Sequence, residues 1–300
     1  MNYIFNMDQE EVMKIDLDKV LRARVPGVYR FLPHSLVKWL ERLICQNELN
    51  ELLQANYGKT GAEFCKGVLD SLDVTVEWDG TRSLPDPANR RVILVSNHPL
   101  GGLDGLALTY LVQKHYGGQV WFVVNDLLMA VKPLENVFLP INKFGGQSRV
   151  AMERLDATLA GNDPIIIFPA GICSRYRKVD FIGESRKIVC DLRWQKSFVT
   201  QARKHQRDIV PLYFDGVNSK KFYRCANLRK RLGIPFNLEQ VLLPGEMVGS
   251  RGRKYTVSVG NTIPYADLFK KRDARGMADS IQSEVYHMKC DASPHPVHKS

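Results

Sequence analysis

A histidine and a carboxylate, five residues between them, stand where two apolar runs meet in "VILVSNHPLGGLDGLALTYLV", residues 92–112. An unperturbed imidazole titrates near pH 6.5. His98 is therefore suited to take a proton from a hydroxyl at neutral pH, a step typically worth about 10²- to 10⁴-fold in rate. Such a base needs a partner that accepts a hydrogen bond from one ring nitrogen and leaves the other free. Asp104 can be that partner if Gly101 and Gly102 let the chain fold tightly between them. The competing reading is that Asp104 N-caps a helix beginning at Gly105 and His98 is an ordinary loop histidine. The spacing alone does not choose between them.

Two further loops carry polar groups after apolar runs. "FPAGICSRY", residues 168–176, presents Gly171, Ser174 and Arg175, and "INKFGGQSR", residues 141–149, presents Arg149. Arginines at strand ends suit bidentate capture of a phosphate or carboxylate. A third segment, "IVPLYFDGVNS", places Pro211 inside an apolar run, which limits that strand to an edge or a bulge.

The elements that must position these groups follow from periodicity. Residues 8–70 read as helical, and Leu36, Trp39, Leu40 and Leu43 recur at spacings of three and four. For so short an amphipathic stretch, packing on a core is expected before lying on a bilayer. From residue 80 onward short apolar runs alternate with longer helical patterns. Strands are expected at 92–96, 120–124, 137–141, 164–168, 209–214 and 255–259, and helices at 103–116, 148–159, 186–204 and 219–232. That alternation predicts an α/β fold, a mixed sheet flanked by helices, with an N-terminal helical extension. The expected boundaries are an N-terminal helical region over 1–75, the α/β domain over 76–290 and a disordered tail over 291–300. In such sheets working residues sit in loops at the carboxyl ends of strands, where His98 and the 168–175 loop both fall.

Composition narrows the class. The 300 residues are 44% hydrophobic and 25% charged, enough for a sizeable core. Six cysteines without a CxxC pair, and an acidic N-terminal stretch unlike a signal peptide, favour a reducing cytoplasm. No apolar run approaches the roughly 18 residues of a membrane-spanning helix, so membrane contact would be peripheral. The net charge of +10 is concentrated between 171 and 231, with 16 Lys and Arg against 5 Asp and Glu. An anionic partner should face that segment. Nucleic acid is not expected, because no recognition motif accompanies the charge and aromatic residues are sparse there. There is no Gly-x-Ser-x-Gly elbow and no phosphate-binding Gly-x4-Gly-Lys-Ser/Thr loop. His295 and His298 in the tail lack the neighbours a metal would need, and neither a metal nor a bound cofactor is expected.

In order along the chain stand Asn-His followed by Asp, Gly-Gly-x-x-Arg, Phe-Pro-x-Gly-x-x-Ser-Arg and Val-Pro before a Gly. This order, over roughly residues 75–220, resembles the four blocks of the glycerolphosphate acyltransferase superfamily, to which the bacterial lysophosphatidic acid acyltransferases belong. The resemblance implies that His98 deprotonates the acceptor hydroxyl, Asp104 orients it, and Arg149, Gly171 and Arg175 bind the acceptor's anionic group. Asn97, Gly101, Gly102 and Ser174 join them in lining the substrate site. Two departures stand out. The family usually has four residues between His and Asp where this chain has five, and Ala170 and Ile172 replace a usual Glu and Thr. The second weakens the case for a glycerol phosphate acceptor.

The wording of the first and third blocks is closer to a bacterial subgroup labelled hemolysin, similar to the O-acyltransferases that complete aminolipids by esterifying the 3-hydroxyl of an N-acylated amino acid. The implied reaction is direct transfer of a fatty acyl chain from acyl carrier protein or coenzyme A to a lyso-lipid. Backbone N–H groups of the Gly101-Gly102 turn are candidates to stabilise the oxyanion. The expected location is the inner face of the cytoplasmic membrane, on an anionic surface. The alternative is a degenerate member of the same fold that binds lipid or acyl carrier without catalysis.

Overall fold

The structure, a computed structural model, describes residues 14–24, 26–125, 129, 131–141, 149–181, 184–234, 237–270 and 272–291. The beginning of the predicted helical stretch at 8–13, the glycine pair before Arg149 and the tail from 292 with its two histidines lie outside them. Helices α1 (Leu17–Arg24), α2 (Pro26–Tyr29), α3 (His34–Leu43), α4 (Gln46–Ala55) and α5 (Gly61–Ser71) lead into strand β1 (Thr75–Trp78). Then follow β2 (Val92–Ser96), α6 (Leu103–Tyr116), β3 (Trp121–Asn125), β4 (Phe138–Ile141), α7 (Arg149–Ala160) and β5 (Ile165–Ile167). The remainder comprises β6 (Arg175–Phe181), β7 (Glu184–Cys190), α8 (Ser197–Lys204), β8 (Asp208–Asp215), α9 (Lys220–Arg231), α10 (Leu243–Val248), β9 (Lys254–Val259) and α11 (Ala274–Asp291). None of the described helices is long and apolar enough to cross a membrane.

Seven strands form one mixed sheet in the order β1-β9-β8-β2-β5-β3-β4, parallel throughout except where β8 meets β9. The five residues of β2 are all buried because both faces of the sheet are covered. Val92 and Leu94 join a core with Phe64 and Val68 of α5 and Leu103 and Leu108 of α6. Ile93 and Val95 join the opposite core with Trp194, Phe198 and Ile281. This two-sided burial is why the strand reads as a continuous apolar run, each aliphatic side chain contributing about 1.5–3 kcal/mol. The helical N-terminal region is not a separate layer, since α5 packs directly on α6.

Two expectations change. The helix expected over 186–204 is a strand for its first part. β7 pairs with β6 in an antiparallel hairpin from Arg175 opposite Cys190 to Phe181 opposite Glu184, and only α8 is helical. Val179, Ile188, Val189, Tyr176 and Phe181 favour extended backbone, which outweighs the helical spacing of the charges. The amphipathic face of α3 is not packed into the core. Val37 is buried, while Leu36 and Trp39 remain exposed.

The bulge expected at Pro211 is present, in an interior strand with β2 on one side and β9 on the other. The Pro211 carbonyl accepts from Gly260 N–H (2.8 Å), just past the end of β9, whereas Ile209 pairs with Ile263, so the partner chain holds one extra residue there. The proline's missing donor falls at this bulge.

At the amino end of the sheet, fully buried Arg207 ties the elements together. It donates to the carbonyls of Leu159 (2.7 Å), Asp163 (2.8 Å), Gly161 (2.7 Å), Thr158 (3.2 Å) and Val92 (3.3 Å). Burial lowers its pKa to about 10, so it stays charged at neutral pH. Arg207→Leu should lower the unfolding free energy by on the order of 3 kcal/mol, because several buried carbonyls lose their donor. Urea unfolding reads this directly, and a loss below about 1 kcal/mol would contradict the assignment.

Candidate active site

Polarity begins abruptly where β2 ends. Asn97 turns its amide onto β8, donating from Nδ2 to Phe214 O (2.9 Å) and accepting Phe214 N–H at Oδ1 (2.7 Å). The side chain predicted to touch substrate thus extends the sheet by one rung and fixes the strand end. In the next residue, His98 Nδ1 lies 2.9 Å from Asp104 Oδ2. The same oxygen accepts the N–H groups of Leu100 (2.9 Å) and Gly101 (3.3 Å), and Oδ1 accepts Gly105 N–H (3.0 Å). Asp104 is fully buried in the first turn of α6. The carboxylate is therefore the histidine's partner and not the helix cap, because α6 begins at Leu103 with Gly102 at its N-cap. Since a carboxylate only accepts, a neutral imidazole in this pair carries its proton on Nδ1 and keeps its lone pair on Nε2.

The fifth residue in the spacing is absorbed at Gly101, whose φ of +89° is disfavoured for other residues. A Cβ there would lie 2.8 Å from Leu243 Cδ1 and 2.9 Å from Cys173 Sγ. Because Gly101 N–H points at Asp104, it is not an oxyanion donor, which corrects half of that expectation. Gly102 N–H has no hydrogen-bond acceptor among the described residues, and the space beside its Cα is open.

Phe168, from the end of neighbouring β5, stacks on the imidazole at 4.0 Å between centroids and 16° between planes. Phe122 backs it edge-on at 5.3 Å. A Cβ on Gly105 would sit 2.7 Å from Phe122, so this glycine lets α6 close on the aromatic pair.

Beneath the turn lies a group the sequence reading missed. Asp191, fully buried, accepts from Ser174 Oγ (2.6 Å), Trp194 Nε1 (2.8 Å) and His98 N–H (3.2 Å). Its own N–H donates to Tyr286 Oη of α11 (2.7 Å), and Ser174 N–H donates to His98 O (2.7 Å). Burial pushes the Asp191 carboxyl up, opposed by the donors from Ser174 and Trp194. Ser174 is thereby a strut between two loops. Its neighbour Cys173 is buried beside Gly101, and burial raises its thiol to about 12, so it stays protonated and is no nucleophile.

The two predicted anion-binding arginines are placed otherwise. Arg175 is buried and donates to Cys173 O (2.7 Å), Ser174 O (3.1 Å) and Glu239 Oε1 (2.8 Å), with its guanidinium 4.9 Å over Phe222. Glu239 is fully buried and also pairs with Arg229 (2.8 Å). Arg149, its side chain 92% exposed, pairs with Glu153 at the start of α7. Gly171 lies exposed in its loop with φ +68°. The structure thus brings together Asn97, His98, Gly101, Asp104 and Ser174, and no contact among the described residues joins Arg149 or Arg175 to His98. Asp191→Ala leaves three buried donors without an acceptor and should destabilise the protein by about 3 kcal/mol, read as a lower thermal midpoint. A midpoint equal to that of wild type would show that Asp191 does not hold the turn.

The chain is similar to known proteins over nearly its whole length. A family model described as "Acyltransferase" matches residues 19–293. The chain is 38% identical over 285 residues to a lyso-glycine lipid O-acyltransferase of Phocaeicola vulgatus, covering 95% of this chain and 99% of that one. It is 36% identical over 282 residues to the lyso-glycine lipid O-acyltransferase of Bacteroides thetaiotaomicron, covering 94% and 100%. Among solved structures, the 1-acyl-sn-glycerophosphate acyltransferase PlsC of Thermotoga maritima aligns with TM-score 0.40 and 15% identity, covering 85% of this chain and 92% of that one. The likeness read from the sequence blocks is borne out, and the chain belongs to the acyltransferase family.

Proposed function

We propose that this enzyme transfers a fatty acyl chain from a thioester donor, acyl carrier protein or coenzyme A, to the hydroxyl of a lyso-aminolipid of the lyso-glycine lipid type. The observation that carries the proposal is the His98–Asp104 pair with Nε2 open. In this reading Nε2 takes the acceptor's hydroxyl proton as the oxygen attacks the thioester carbonyl carbon. Gly102 N–H, the member of the glycine pair not engaged by Asp104, donates to the developing oxyanion. The tetrahedral species collapses with cleavage of the C–S bond, and the proton on Nε2 passes to the departing thiolate. The products are an ester and a free thiol, with no covalent enzyme intermediate.

The acceptor class is supported by the two relatives, both named for a lyso-glycine lipid, and by Arg175. A dianionic phosphate would want a guanidinium free of competing acceptors, whereas Arg175 is engaged by Glu239 and by the carbonyls of Cys173 and Ser174. The intact pair favours a catalyst over a silent binder, since the longer spacing has been accommodated without loss of the hydrogen bond.

Labelled acyl transfer to N-(3-hydroxyacyl)glycine and to lysophosphatidic acid, side by side and from each donor, tests the proposal. Ester should form on the amino acid acceptor. His98→Ala should abolish it, and Asp104→Asn should lower kcat about 10³-fold or more. Product from lysophosphatidic acid alone would overturn the acceptor, and full activity in His98→Ala would overturn the mechanism.

A further inference from the structure

We propose that the outer face of α9, with the adjoining turn Leu238–Leu242, is the surface by which the protein seats on an anionic bilayer. The inference rests on the reading that the acceptor is a lipid. The sequence of α9, "KKFYRCANLRKR", holds six Lys and Arg and no Asp or Glu. Its inner face is already filled by Phe222, Tyr223 and Ala226, all buried. Leu228 and, immediately after the helix, Leu232 therefore have no core to enter and are 57% and 65% exposed, one turn apart among the basic residues. Beside them, Leu238 and Val241 are 50% and 39% exposed. The two elements are tied together by the buried Glu239, which pairs with the partly buried Arg229, so the four aliphatic side chains belong to one region.

Single exposed leucines are ordinary, but aliphatic side chains grouped within a strongly basic, acid-free helix face are the pattern of an interfacial helix. The apolar groups enter the headgroup boundary while the Lys and Arg meet anionic lipid. An acidic carrier protein would satisfy the charge as well. The protruding leucine pair favours the bilayer, where the lyso-lipid resides.

The position of this face supports the assignment. Asn218, just before α9, donates from Nδ2 to Pro99 O (3.1 Å), the residue after the catalytic histidine. Leu243, just after the turn, is the side chain against which Gly101 is packed. The elements that carry the face are thus tied directly to Pro99 and Gly101 of the turn that holds His98.

The test is co-sedimentation of the full chain with phosphatidylcholine vesicles, with and without about one third phosphatidylglycerol. Leu228→Glu/Leu232→Glu is compared with Lys221→Gln/Arg224→Gln/Arg231→Gln. Wild type should bind the anionic vesicles at least tenfold more tightly than the neutral ones. The leucine variant should lose about tenfold or more, and the charge variant, at roughly fivefold per basic residue, about a hundredfold. Both should turn over detergent-dispersed acceptor within about twofold of wild type. Vesicle binding retained by both variants would overturn the proposal. So would unchanged vesicle binding with turnover lost only from acyl carrier protein, which would assign the face to the carrier. Absence of transfer by wild type would count against the catalytic reading alone, because sedimentation still judges the surface.

Discussion

The carboxylate of Asp104 is the point on which the His98 end of this molecule depends. A fully buried carboxylate is costly unless donors surround it, and here Nδ1–H of His98 and three backbone N–H groups of the same short turn do so. The turn can close only with this acceptor at its centre, and the imidazole is oriented by the same oxygen that closes the turn. Turn geometry, tautomer and the start of α6 are therefore a single solution to one requirement, the neutralisation of one buried charge. The extra residue in the His-to-Asp spacing is tolerated because Gly101 takes it up in a backbone region with positive φ.

Around that centre, each neighbouring element supplies one restraint. β8 receives Asn97, β5 delivers Phe168 to the face of the imidazole, and Asp191 at the end of β7 holds the main chain of His98 from below. These supports come from buried central strands or from loops pinned to them, so His98 is mounted on the middle of the sheet. Several groups that look like substrate ligands by type serve this mounting instead. Asn97, Ser174 and Arg175 have their polar atoms turned to main chain or to buried carboxylates, and specificity for the acceptor's head must arise elsewhere.

Much of this was legible in the sequence wherever burial imposes a simple pattern. β2 and α6 stand out as an apolar run and a helical repeat, and the polar interruption between them marks the site. The hairpin of β6 and β7 was hidden because its charges repeat at helical spacing while its two strands pair only with each other. Asp191 went unseen for the same reason, lying in "VCDLRW" inside a stretch read as helix. The partnership of Arg175 with Glu239 joins residues 64 positions apart, and no local pattern announces it. Trp39 likewise remains exposed, which its own periodicity does not announce.

The central claim, that Asp104 holds His98 with Nδ1 protonated and Nε2 free, is measurable without any substrate. ¹⁵N NMR of the imidazole in selectively labelled protein, above the histidine's titration, distinguishes the two neutral tautomers. The account predicts a protonated Nδ1 and an unprotonated Nε2 in wild type, with that preference lost in Asp104→Asn. A neutral His98 carrying its proton on Nε2 while Asp104 is intact would contradict it.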